Sequence, residues 1–150
     1  DVEYTAEALD ALYAAADGYP YFVQAYGKVT WDAAVGSPIR VEDVRAAAPE
    51  AEATVAAARV VYLEGYLWDP PAAKDAFRKA VTIAHDAGNA AALTLSDAFC
   101  VGRYREEFLG LIRDGSIDIL FANIGELQSL YETDDAEAAI RAAMVHAGLI

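Results

Sequence analysis

Along the first sixty residues apolar positions recur at helical intervals, and from Val60 onward the pattern becomes short apolar runs alternating with helices. In "YTAEALDALYAAADG" (4–18), Leu9, Leu12 and Ala16 lie along one stripe, with Thr5 as N-cap and Gly18 as stop. In "YPYFVQAYGKVTWDAAVGSP" (19–38), Phe22, Tyr26, Val29 and Ala33 recur at i, i+4, i+7 and i+11, which predicts a second helix despite Gly27. "SPIRVEDVRAAAPEAEATVAAA" (37–58) predicts a third helical stretch, broken or kinked where Pro49 removes a backbone donor.

The later pattern predicts three strands. "VVYL" (60–63) is followed by Asp69-Pro70-Pro71, an expected cap with proline in the first helical turn. Ala73, Phe77, Ala80 and Ala84 mark a helix that Gly88 ends; "AAALTL" (90–95) is the second strand. Tyr104, Phe108 and Leu111 mark the next helix, which stops at Gly115 and leads into "IDILFA" (117–122). A short helix "IGELQSLY" and a last one capped by Thr133 complete the chain. Strand starts about 30 and 27 residues apart fit βαβ units, hence parallel strands with right-handed crossovers. The expectation is a single α/β domain over 1–150. It is three-layer, with a three-stranded parallel sheet (βαβαβαα, 58–150) and an N-terminal helical segment (1–57) packed on it. The strands are apolar on both sides, so both faces need cover. Right-handed crossovers put the two connecting helices on one face. The second is therefore assigned to the N-terminal helices, through Phe22, Tyr26 and Val29.

Charge narrows the function. Acids outnumber bases 24 to 11, giving net −13, with the excess spread along the chain. No basic stripe is present to neutralise phosphates, so a nucleic-acid partner is not expected, and an anionic membrane surface would repel the protein. The N-terminal aromatic cluster (Tyr19, Tyr21, Phe22, Tyr26, Trp31) reads better as packed core than as a stacking platform, for want of basic neighbours. The lone cysteine, Cys100, cannot form an internal disulfide and reads as a buried, inert thiol of a cytoplasmic, reducing compartment. No apolar run reaches membrane-spanning length, and no signal peptide opens the sequence. Exposed sheet edges leave self-association open.

Ligands of open parallel sheets gather beyond the carboxyl ends of the strands. Glu64 and Gly65 follow the first strand, Ser96 and Asp97 the second, Asn123 and Glu126 the third. Glu64, Asp97 and Glu126 are candidates for weak magnesium binding through water, against the plainer alternative that Asp97 and Glu126 cap or start the following helices. No GxxxxGK[ST], GxGxxG or GxSxG motif occurs.

"YLEGYLWDP", "LTLSDAFCVGRYR" and "DILFANIGEL" carry a resemblance that runs over residues 58–148. This stretch is similar to the middle of ribokinase-like (PfkB) carbohydrate kinases, above all their adenosine-kinase-like branch. The resemblance implies that Asn123-Ile124-Gly125-Glu126 corresponds to the family's N-x-x-E motif near phosphates and magnesium. Asn123 and Glu126 are then vestigial nucleotide-site residues, with at most weak Mg-ATP binding. The family's glycine-rich substrate-binding start and its G-A-G-D anion hole with the catalytic base are not in this chain, which implies no catalysis. Residues 1–50, through "GYPYFVQAYGKVTWDAA", resemble the helical lid of bacterial AAA-type ATPases, without their Walker segments. The two resemblances together suggest a recombined or engineered, non-catalytic chimera joined near residues 46–58. The alternative is a residual nucleotide or sugar-phosphate binding domain of a PfkB-like kinase.

Overall fold

The computed structural model describes residues 3–16 and 20–146, and Gly18 and the side chain of Phe22 lie outside what is described. Among the described residues, seven helices and three strands follow in the order α1 (Ala6–Ala15), α2 (Pro20–Ala33), α3 (Val41–Ala57), β1 (Val60–Glu64), α4 (Pro71–Asp86), β2 (Ala90–Thr94), α5 (Ala98–Arg113), β3 (Ile119–Phe121), α6 (Ile124–Tyr131) and α7 (Ala136–Met144), with a 3-10 turn at Gly65–Trp68. The strands form one open parallel sheet in sequence order, with Tyr62 beside Ala92 and Ala92 beside Ile119. The three-layer α/β class predicted by the sequence is the one observed.

Local chemistry sets most boundaries. Thr5 caps α1, accepting from the Ala8 N–H. Gly88 and Gly115 stop α4 and α5 with φ of +73° and +80°, a conformation that costs glycine nothing. Four details differ from the sequence expectation. α3 runs through Pro49 without a break, because its buried seam of Val44, Ala47 and Ala51 holds both halves in place. Leu9 is half exposed, since α1 packs through Ala8, Leu12 and Ala16 instead. Pro70, not Asp69, is the N-cap of α4; the Asp69 carboxylate takes the Tyr104 hydroxyl and pairs with Arg103. Asp135, not Thr133, caps α7, where its carboxylate accepts two backbone N–H groups in a tighter fit than one hydroxyl gives.

One sheet face is dry. Val61, Leu63, Ala91, Leu93 and Leu120 alternate onto it and meet the core with Phe77, Ala80, Val101, Phe108 and Ile112. Trp68 sits at its centre, edge-on to Phe77 at 4.8 Å and near Phe108 at 5.7 Å. Its indole N–H donates to Glu107 at 3.0 Å, and Lys74 bridges to the same carboxylate at 2.7 Å. The ammonium of Lys74 holds the Glu107 carboxyl below its ordinary range.

The opposite face departs from expectation. The N-terminal segment does pack on the α/β unit, but α1 and α2 rest on α3, and α3 rests on α4. Tyr26 is buried there, its hydroxyl 3.5 Å from Glu52, which also takes Lys79 of α4 at 2.8 Å. On the other parity the middle strand buries Ala92, but side chains of the two outer strands stay in the open. Val60, Tyr62 and Phe121 are 45%, 52% and 51% exposed, and the rings of Tyr62 and Phe121 meet edge-on at 5.7 Å. Helical periodicity fixes which stripe of α2 is apolar; it does not fix which surface receives it, and the alanine-rich α3 offered a closer one.

At the amino end of the sheet, His85 Nε2 lies 2.9 Å from Asp118, whose carboxylate also accepts the Ala91 N–H at 2.8 Å. Burial pushes the Asp118 pKa up, but the Ala91 N–H and His85 outweigh it and leave it lowered. A lowered folded pKa means this contribution is complete above the unfolded value and fades as pH falls through the folded one. Asp118→Asn should therefore cost about 1 kcal/mol at pH 7, the worth of one such hydrogen bond, and less near pH 3. Urea unfolding at the two pH values measures both; an equal cost at each would remove the charge from the account.

Candidate functional site at the carboxyl rim

Three connections leave the carboxyl ends of the strands. After β1 the chain turns at once into Gly65, whose α-carbon abuts the β2 backbone: a Cβ there would lie 2.9 Å from the carbonyl oxygens of Thr94 and Leu95. After β2, Ser96 takes a φ of +71°, and its Oγ accepts the Tyr66 N–H at 3.1 Å. Asp97 then caps α5, its carboxylate accepting the Cys100 N–H at 2.6 Å. That bond, with a second from the Tyr66 hydroxyl, lowers the Asp97 pKa, and the same contact raises that of Tyr66. After β3, Asn123 caps α6.

Asn123 and Glu126 are brought together as the spacing implies. Asn123 Oδ1 accepts the Glu126 N–H at 2.9 Å, while Glu126 returns Oε2 to the Asn123 N–H at 3.1 Å. Asn123 Nδ2 donates to Glu126 Oε1 at 2.6 Å. This reciprocal capping box buries Glu126 to 6% exposure and fixes its carboxylate at the rim. Each carboxylate oxygen keeps lone pairs beyond the one bond it accepts.

Glu64, Asp97 and Glu126 stand at the ends of three successive connections, yet among the described residues no three His, Cys, Asp or Glu side chains gather closely enough to hold a metal ion. No chemical step is derived through a magnesium ion here. Cys100 is buried, and its thiol donates to the Gly65 carbonyl at 3.2 Å. Burial pushes its pKa up, with Asp97 adding to the effect, so the thiolate is disfavoured. The His85–Asp118 pair went unnoticed in the sequence, where only a strand-start acid set against an apolar run hinted at it. It lies at the far end of the sheet. An open cleft of about 440 Å³ lies between α5 and the α6–α7 corner, lined by Gly102, Arg105, Gln128, Ser129 and Glu132. Arg105 is already paired there with Glu106 and Glu132.

With that geometry in place, comparison with known proteins is informative. No family model matches the chain, and no curated protein matches it. Solved structures do. Adenosine kinase from Sinorhizobium meliloti is 53% identical, with a TM-score of 0.63, over 64% of this chain and 29% of that one. A "probable sugar kinase" from Rhizobium etli is 51% identical, with a TM-score of 0.61, over 71% of this chain and 30% of that one. The chain thus spans about 30% of the length of the structures it matches. Both shares exceed the share that residues 58–150 make up, so the likeness takes in some residues before 58. Neither match lends support to the ATPase-lid resemblance of residues 1–50 or to a chimeric origin. Among the described residues no helix is long and apolar enough to cross a membrane.

Proposed function

We propose that this chain is a partial α/β segment of a PfkB-type kinase, one that carries the rim side of a nucleotide or sugar-phosphate site and does not turn over by itself. The observation that carries this reading is identity above 50% to an adenosine kinase and a sugar kinase over most of this chain, set against less than a third of theirs. Asn123 and Glu126 are the residues assigned to the phosphate end of that site: their capping box holds a buried carboxylate at a strand terminus, where sheet folds of this kind take ligands. Phosphoryl transfer also needs a positioned nucleophile and a group to neutralise developing charge. The G-A-G-D segment to which the kinase resemblance assigns both is not in this sequence.

A coupled ADP-release assay with adenosine or ribose should therefore show no acceptor-dependent turnover. Turnover abolished by Asn123→Ala would overturn the non-catalytic part. In calorimetry, Mg-ATP should bind at millimolar strength or weaker, about 4 kcal/mol or less. Micromolar binding lost in Glu126→Gln would mean that the rim alone is a complete site.

A further inference from the structure

We infer that residues 97–103, the cap and first turns of α5, form a hinged latch at the carboxyl rim that opens as a unit while the rest of the helix stays in place. Two strained residues bracket the segment. Ahead of it, Ser96 has a φ of +71°, in the left-handed region that only glycine enters freely. Behind it, Tyr104 has φ −120° and ψ 20°, outside the helical region, and breaks α5 into two helical pieces. Backbone of this kind persists only where neighbouring contacts hold it, and hinges are the few residues that absorb a change in φ and ψ. Gly102, just ahead of the break, weakens the helix further.

One connection, residues 65–69, holds the latch shut. Ser96 Oγ accepts the Tyr66 N–H at 3.1 Å, and the Asp97 carboxylate accepts the Tyr66 hydroxyl. Asp69 takes the Tyr104 hydroxyl and pairs with Arg103 at 3.4 Å. From α6, Ser129 adds a bond to the Ala98 carbonyl at 3.3 Å. These bonds lie in solvent, so water can replace each of them at small cost. Within the latch, Cys100 and Val101 are the buried residues, and the Cys100 thiol donates to the Gly65 carbonyl at 3.2 Å. Beyond the break the helix is held more firmly. Phe108, Leu109 and Ile112 are buried, and the Tyr104 ring sits 6.3 Å from that of Phe108 and 4.6 Å from the Lys74 ammonium. The pivot is thereby fixed, and the segment ahead of it is the weaker part. Opening parts Asp97 from Tyr66 and takes an acidic side chain out of the rim. That this clears a way for phosphate rests on the function proposed above; the latch itself does not.

Cys100 is the one cysteine of the chain, so its labelling by Ellman's reagent reports the opening of the latch. On the whole chain the labelling rate should stay nearly flat at low urea, as local opening does, and steepen only near the unfolding transition. Tyr104→Phe keeps the ring and loses the bond to Asp69, so labelling should quicken about five-fold. Gly102→Ala adds a Cβ that meets nothing within 4 Å, so the helix stiffens and labelling should slow about three-fold. Hydrogen exchange on the same proteins locates the hinge. The amides of 101–103 should follow the labelling, with a step in protection at Tyr104 and those of 109–112 unchanged. A labelling rate that follows urea with the full slope of unfolding would overturn the latch, because Cys100 would then be reached only through global unfolding. So would a smooth gradient of protection along α5, which is ordinary fraying, or variants that shift 109–112 equally. None of these readouts involves a ligand. An empty rim would leave them unchanged, and a rigid α5 would leave the rim proposal standing.

Discussion

Trp68→Ala should lower the unfolding free energy by about 3–5 kcal/mol, enough to consume a large part of a typical domain's stability. Trp68 is fully buried in a turn only four residues long, where the chain passes from β1 towards α4. It touches both crossover helices, through Phe77 on α4 and Phe108 on α5. Removing the indole opens a cavity beneath Phe77 and Phe108, whose helices are fixed on the core by other packing, so collapse cannot easily refill it. The polar end matters less. Glu107 loses the indole N–H but keeps Lys74, and its carboxylate is part-exposed. Trp68→Phe should thus cost about 1–2 kcal/mol, most of it from the smaller ring and the lost hydrogen bond. Urea titrations of the two variants decide the matter. A cost below 1 kcal/mol for Trp68→Ala would mean that this cluster does not anchor the helices to the sheet.

The same contacts show what could be read from the sequence. Strand positions and crossover helices were legible because βαβ spacing and glycine stops are local signals: α4 and α5 each end two residues before their glycine, Gly88 and Gly115. The destination of the N-terminal helices was not. All-apolar strands hide which parity faces the core, and an apolar stripe such as that of Tyr26 and Val29 carries no address. The rim was half legible. Capping or starting the next helix was the plainer expectation for Asp97 and Glu126: Asp97 caps α5, and Glu126, in the first turn of α6, completes the capping box of Asn123. Proximity among Glu64, Asp97 and Glu126 depends on how far each connection travels, which spacing does not encode. The Trp68–Glu107–Lys74 network joins positions more than thirty residues apart and left no local signature.

Gly65→Ala should be the most damaging of the single-methyl additions. Its Cβ would sit 2.9 Å from two backbone carbonyl oxygens, those of Thr94 and Leu95, and 3.2 Å from a carbonyl carbon. Backbone cannot step aside as a flexible side chain can. The only relief is to part β1 from β2 at Glu64 and Thr94, the last pair in their register. Parting them also pulls the Tyr66 N–H from Ser96 and the Gly65 carbonyl from the Cys100 thiol. Overpacking of this kind costs typically about 1–3 kcal/mol, and the upper end is expected where no side chain can yield. Gly88→Ala separates sterics from conformation. Gly88 has φ +73° with nothing within 4 Å of a new Cβ, so its penalty is backbone strain alone, about 1 kcal/mol. The two variants should therefore differ in kind as well as size. Gly88→Ala should lower stability and leave the rim intact, whereas Gly65→Ala should also speed hydrogen exchange at the Leu95, Ser96 and Tyr66 amides. Equal destabilisation with no local change in exchange would show that the β1–β2 contact at the rim is looser than its geometry requires.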